Sequence, residues 1–248
     1  MTSFPRSNTF VLYGLGMSTQ QVGGWCWFLA AALIPVQVLV AARWPLPYSW
    51  RSHLISDLGA TMCGVADTGA RVERYVCSPW HVLANAATVV NGLTLALGAV
   101  LLWSVWPRRR GGRAGSVLLA AGGLCVVGVG LTPWDLHPDL HHLFALVQAP
   151  LQWAGMVLLV RATWGTTLPR AVPVVTAVGV VVSVAGFALF LDALSGGTSL
   201  ALGLGLTERL AFDILTLWSA TVGGVLLASG ERPRTDATEP RSILLPVD

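Results

Sequence analysis

Six apolar runs set the frame for this chain. They cover about residues 22–42, 80–106, 114–131, 142–160, 171–191 and 206–228. Each approaches the ~20 residues that an α-helix needs to cross a bilayer. A soluble domain carries about 25% charged residues; here 11% are charged and 54% are hydrophobic. Lipid is therefore the solvent, and in lipid each spanning segment must satisfy its own backbone hydrogen bonds. The sequence predicts an all-α fold, a polytopic membrane bundle of about six transmembrane helices with a long structured outer loop.

Arginine sets the expected orientation. The chain has no lysine, and all 15 basic residues are arginine. Placing the loop "PRRRGGRAG" in the cytoplasm puts Arg108, Arg109, Arg110 and Arg113 inside, with Arg6, Arg161, Arg170, Arg232, Arg234 and Arg241. Arg43, Arg51, Arg71, Arg74 and Arg209 then lie outside. That bias follows the positive-inside rule and puts both termini in the cytoplasm. The expected organisation is a cytoplasmic segment at 1–21, a transmembrane domain at 22–228 with its outer loop at 43–79, and a disordered cytoplasmic tail at 229–248. The start "MTSFPRSNTF" does not read as a signal peptide, so the first apolar run is expected to be a retained helix. The net charge of +3 is small and scattered, which argues against a nucleic-acid partner. Trp44, Trp50, Trp80, Trp103, Trp106, Trp134 and Trp164 fall near span ends, where indole suits the interface.

The first outer loop is roughly 38 residues long, more than a connector needs. Its alternation of apolar and polar residues in "SHLISDLGA" predicts a cap or short helix folded back on the bundle. Cys63 and Cys77 both lie in it; an oxidising exterior would join them, and the alternative is two free thiols. Cys26 and Cys125 fall inside spans as packing residues.

The outer side gathers nearly every ionisable residue that is not arginine. The first loop supplies His53, Asp57 and His81, and the second, "PWDLHPDLHH", supplies Asp135, His137 and His141. The third leads into Glu208, Arg209 and Asp213. Three such loops could surround one cavity. Asp213 lies well inside the sixth run, and a carboxylate at that depth is a functional candidate by default. Arg209 stands at i,i+4 to it, so a neutralised ion pair that orients the helix is the plainer reading. For Asp57, in "LISDLG", the plainer reading is a cap or turn residue.

His137 and His141 are also spaced i,i+4. On one helix face both imidazoles could reach a zinc ion, with Asp135, His53 or His81 completing a tetrahedral set. The competing reading is that "DLHPDLHH" starts the fourth helix, with Asp135 or Asp139 capping it. No serine elbow, phosphate loop or dinucleotide glycine fingerprint occurs. The glycines in "AAGGLCVVGVGL" and "LALGLGL" fit close helix packing instead.

The motifs Ser56-Asp57-Leu58-Gly59, Pro133 with Asp135 and His141, and Glu208-Arg209 resemble those of a family of bacterial six-helix membrane proteins known only as a domain of unknown function. The resemblance covers most of the chain and implies no reaction. In size and architecture the chain is also similar to the membrane-bound terpene cyclases of meroterpenoid pathways, including those that cyclise prenylated indoles. That similarity implies a buried carboxylic acid protonating an alkene or epoxide, without a metal or other cofactor.

Such chemistry needs a carboxyl group kept protonated in an apolar pocket. It also needs aromatic faces to stabilise cations, and the chain has 11 tryptophans. On this reading Asp57 or Asp213 is the proton donor, with Glu208, Asp135 and His141 as further acids and bases. Arg209, His137, His53, Trp134, Trp153 and Trp218 would contact an apolar prenylated or lipid substrate, with membrane lipid as the surrounding partner. The alternatives are a zinc-dependent lipid hydrolase built on His137 and His141, and a non-enzymatic transporter or interaction protein. Against transport stand the lack of an inverted repeat and few polar residues deep in the spans. The expected location is the bacterial plasma membrane with the site toward the outer face; the oligomeric state is not legible.

Overall fold

Six helices among the described residues are long and apolar enough to cross a membrane. The computed structural model describes residues 17–67, 73–107 and 111–230. Most of the expected N-terminal segment, Arg6, Arg71, Arg108–Arg110 and the tail from 231 lie outside the described residues. The first span, Thr19–Ala41, is built from α1 (Thr19–Leu29) and α2 (Leu33–Ala41), joined by a 3-10 turn at Ala30–Ala32. The others are α3 (His81–Leu101), α4 (Gly112–Leu131), α5 (Pro138–Thr163), α6 (Ala171–Leu194) and α7 (Leu204–Gly230). Two strands, β1 (Cys63–Asp67) and β2 (Glu73–Cys77), form an antiparallel hairpin between α2 and α3.

Local chemistry explains the helix ends. Ser18 and Gln21 make a reciprocal capping box at the start of α1: each backbone N–H donates to the other's side chain, at 2.8 and 3.2 Å. The 3-10 turn precedes Pro35, whose ring removes an N–H and crowds the Ala31 carbonyl four residues back. The fourth span begins at Pro138, not near His142 where hydropathy placed it, because proline at the first helical position is tolerated and His137 is the cap. Hydropathy reads transfer to lipid, and so misses a polar first turn.

Each span packs on its neighbours in sequence, and α7 returns to α1, so the six spans close into a ring. Close approaches are made by glycine. A Cβ on Gly92 would come within 2.5 Å of the Gly123 carbonyl, so the α3 and α4 backbones touch there. Gly203, at φ +95°, turns the chain into α7 against the Arg51 carbonyl, in a conformation and a space that admit no side chain.

The connections before α3, α5 and α7 meet at one end of the bundle, called here the hairpin end. Thr61 and Met62 N–H groups both donate to Asp135 Oδ2 at 2.9 Å, tying the first connection to the second. The Gly205 N–H donates to the Arg51 carbonyl at 2.9 Å, tying the first to the third. The expected cap is therefore real: a 3-10 turn at Ser56–Gly59 and the hairpin fold back onto Val40, Trp44 and Ala84. Cys63 and Cys77, expected either bonded or free, form a disulfide across the hairpin.

At the opposite end the interior is packed with indole. Trp27 lies against Trp106 and Trp218, at ring separations of 6.0 and 5.3 Å, with Leu119, Met156 and Leu226 around them. Trp44 and Trp106, expected at the bilayer interface, are buried instead, while Trp50, Trp80 and Trp164 are exposed.

Candidate functional site

Between the hairpin end and the tryptophan cluster, the ring of helices encloses a cavity of about 100 Å³. Toward the hairpin end it is lined by Ile55, Ser56, Gly59 and Pro133 from the connections. Its walls come from Leu33 on α2, Asn85, Thr88 and Asn91 on α3, and Val126 and Val129 on α4. Opposite stand His141, Gln148 and Gln152 on α5, and Glu208, Phe212, Asp213, Thr216 and Ser219 on α7. At ~10–15 Å³ per water in this measure, the space holds several waters or one slender group.

The carboxyl wall is built by α7. Glu208 is buried, and one of its oxygens accepts from the Ile55 N–H of the cap. Asp213 accepts from the Gln37 amide of α2 at 2.9 Å. Its other oxygen lies 4.0 Å from Arg209 Nε, so the pair expected from the i,i+4 spacing forms at the outer limit of an ion pair. Most of Arg209 is spent elsewhere. Its Nη1 donates to the carbonyls of His53 and Gly205 at 2.9 and 2.8 Å, and its Nη2 donates to the Tyr48 hydroxyl. Burial pushes the Tyr48 phenol well above its ordinary pKa against the opposing pull of Arg209, so it stays a neutral hydroxyl. It donates in turn to the Leu54 carbonyl at 3.1 Å. Arg209 is thus a clamp that seats the first connection on α7.

The facing wall carries His141. Its Nδ1 lies 2.8 Å from the Thr132 carbonyl, which can only accept, so Nδ1 holds the hydrogen. In the neutral ring, Nε2 then carries the lone pair and can take a proton. Two carboxyl groups of α7 and one imidazole 67 or more residues before them in sequence therefore line one chamber.

Other residues singled out by sequence take different places. Asp57 does not line the cavity. Both its oxygens are held by Arg74, at 2.6 and 2.7 Å, and one also accepts from the Leu54 N–H at 2.8 Å. This buried pair locks the 3-10 turn to β2, with the Ser78 hydroxyl donating to the Leu58 carbonyl alongside. The turn-residue reading of Asp57 describes its geometry better than a proton donor does. One oxygen of Asp135, Oδ2, accepts from Thr61 and Met62, while its Oδ1 is buried without a hydrogen-bond partner among the described residues. His53 accepts from the Ser49 N–H at Nδ1 and donates to the Tyr75 carbonyl from Nε2. His137 is exposed while His141 is buried. Among the described residues no three His, Cys, Asp or Glu side chains gather as metal ligands, so the zinc set proposed from the i,i+4 spacing does not assemble.

The tryptophans expected around a substrate also stand away from the cavity. Trp218 donates to Thr176 at 2.9 Å and Trp153 to Ser183 at 2.9 Å. Trp134 packs under the cap beside the Arg74 guanidinium. Among the described lining residues the aromatic is Phe212.

Sequence reasoning missed the amides. Asn85 and Asn91 fall in the second apolar run and Gln148 and Gln152 in the fourth, and "few polar residues deep in the spans" passed over them. The available signal was their depth, since a strongly polar side chain inside a span calls for a partner or a function. Two have partners: Asn85 donates to the Gly59 carbonyl at 2.9 Å, and Asn91 donates to the Thr216 hydroxyl at 3.0 Å.

A family described as "Protein of unknown function (DUF998)" matches residues 28–225, and the chain belongs to it. No curated protein and no solved structure matches the chain.

Proposed function

From membership of this family of unknown function, we propose that the chain is an integral membrane enzyme doing acid–base chemistry on an isoprenoid or lipid substrate. In its sharpest form this is a proton-initiated cyclisation of a prenylated substrate. The observation that carries the reading is the meeting of Glu208, Asp213 and His141 around one cavity inside an apolar bundle. Proton transfer by a positioned acid and base is worth typically ~10²–10⁴-fold in rate.

The atoms balance without a cofactor. The Glu208 or Asp213 carboxyl gives its proton to a terminal alkene carbon. The alkene π pair forms the new C–H bond, and the cation is attacked by a second alkene to close a ring. His141 Nε2 removes a proton from the final cation, leaving a new double bond. The imidazolium gives its proton to water and the carboxylate takes one from water between turnovers, so the product is an isomer of the substrate carrying one solvent-derived hydrogen. Phe212 and the dipoles of the amide side chains would face the cation, in place of the tryptophan walls that sequence suggested.

The expected setting is the bacterial plasma membrane, with the hairpin end outside and both termini inside. The Cys63–Cys77 disulfide supports that orientation, because such bonds persist in oxidising compartments. A second reading, a non-enzymatic binder or carrier of a polar solute, is favoured by the amide-rich lining.

Turnover in deuterated water separates them. Protein in lipid nanodiscs is incubated with a farnesylated indole, and products are analysed by mass spectrometry. Cyclisation is expected to give an isomer carrying one deuterium, lost in Glu208→Gln or Asp213→Asn protein that remains folded. Unlabelled product, or product formed equally by both variants, would refute the acid assignment; no conversion by folded protein across prenylated substrates would favour the binder.

A further inference from the structure

Two glutamines of α5, Gln148 and Gln152, line the cavity one helical turn apart, so their side chains share a face. They are 8% and 2% exposed, and neither amide has a hydrogen-bond partner among the described residues. Gln152 Oε1 is sealed from solvent with nothing donating to it. A buried polar group left unmade costs about 1–3 kcal/mol, and in native proteins such groups are nearly always satisfied. Asn85, Asn91 and Gln37, in the same bundle, are satisfied by protein, so local geometry does not forbid pairing.

Charge then narrows the missing partner. The lining carries two carboxyl groups, and Arg209 beside them spends Nη1 and Nη2 on backbone carbonyls and Tyr48 and turns its Nε toward Asp213 at 4.0 Å. A phosphate or diphosphate would meet repulsion from both carboxyl groups, and among the described lining residues there is no arginine to offset it. A quaternary ammonium prefers an aromatic cage, and Phe212 alone does not make one. Each primary amide, by contrast, offers N–H donors and a carbonyl acceptor. Two of them in register match a neutral group that both donates and accepts.

We propose that Gln148 and Gln152 are the recognition subsite for the neutral hydrogen-bonding head group, a hydroxyl or carboxamide, of an otherwise apolar isoprenoid-like molecule. The assignment rests on the acid–base reading above for its location. It adds that the substrate reaches this protein after any phosphate has been removed or its anchor capped by a neutral group.

Binding tests it without requiring turnover. The full chain in nanodiscs is titrated with farnesol, farnesyl diphosphate and the hydrocarbon farnesene, with affinity read by native mass spectrometry. Farnesol is expected to bind about tenfold more tightly than either of the others, the worth of one or two net hydrogen bonds. Gln148→Leu and Gln152→Leu, near-isosteric and compatible with lipid, are expected to erase that preference while leaving farnesene binding unchanged. Glu208→Gln is expected to lose turnover but keep farnesol binding, so failure of the catalytic reading is distinguished from failure of this one. Equal binding of alcohol and hydrocarbon by the unaltered protein, tighter binding of the diphosphate, an unchanged preference in both leucine variants, or no farnesol binding would overturn the proposal.

Discussion

The two halves of the bundle interior are built on opposite rules. In the spans that contribute to both, the cavity residues lie toward the hairpin end and the packed residues toward the other, with some interleaving on α7. On α3 the boundary falls at Leu95, with Asn85, Thr88 and Asn91 before it and Ala99 and Leu102 after it. On α5 it falls between Gln152 and Met156, and on α7 the two sets interleave from Leu215 to Ser219. The far half fills its space with indole and leucine, and Trp27 satisfies its N–H on the Leu95 carbonyl at 3.0 Å, while the Trp106 N–H beside it has no partner among the described residues. The hairpin half leaves space, and leaves two amides unpaired. A hollow lined by both polar and apolar groups thus lies beside a closely packed core.

The sharpest way to break this contrast is to cut into each half. Trp27→Ala in the packed half is expected to destabilise by about 3–5 kcal/mol, the usual range for a buried aromatic, measured by reversible unfolding in detergent. The cap that roofs the cavity should be as sensitive. Asp57→Ala strands the buried Arg74 and is expected to cost about 3–5 kcal/mol, whereas replacing both partners with apolar residues should recover much of that loss. Preserved stability in Asp57→Ala with loss of all turnover would return Asp57 to the catalytic set. Removing the disulfide by Cys63→Ser is expected to cost about 3 kcal/mol for a loop of this size, read from the same unfolding curves with and without reductant. Smallest of all should be Gln152→Leu. Taking away an unpaired amide is expected to change stability by less than about 0.5 kcal/mol, or to raise it; a large loss would mean that the amide has a structural partner.

The same contrast explains what the sequence made legible. Spans, ring-forming helices and the meeting of three connections follow from lipid thermodynamics and loop length, and hydropathy records both. Glu208, Asp213 and His141 stood out because charge in or beside an apolar run is conspicuous. Asp57 stood out equally, yet its partner Arg74 lies 17 residues away on a hairpin whose register no periodicity revealed. The tryptophans misled for a related reason. Indole suits an interface, a core and a cation equally well, and composition does not choose among them. The amides stayed hidden because they are uncharged residues scattered through apolar runs, two on α3 and two on α5, and only the closed ring brings the two pairs together.

Cysteine accessibility tests the division of the interior most directly. In a chain carrying Cys26→Ala and Cys125→Ala, single cysteines replace Thr88, Asn91 or Thr216 in the cavity and Ala99, Met156 or Val222 in the packed half. A small cationic thiol reagent that does not cross membranes is added to intact cells. The first three positions are expected to label from outside and the last three not at all. Labelling of the packed positions as fast as the cavity positions, or labelling of the cavity positions only after the cytoplasmic face is exposed, would contradict a polar chamber open toward the hairpin end.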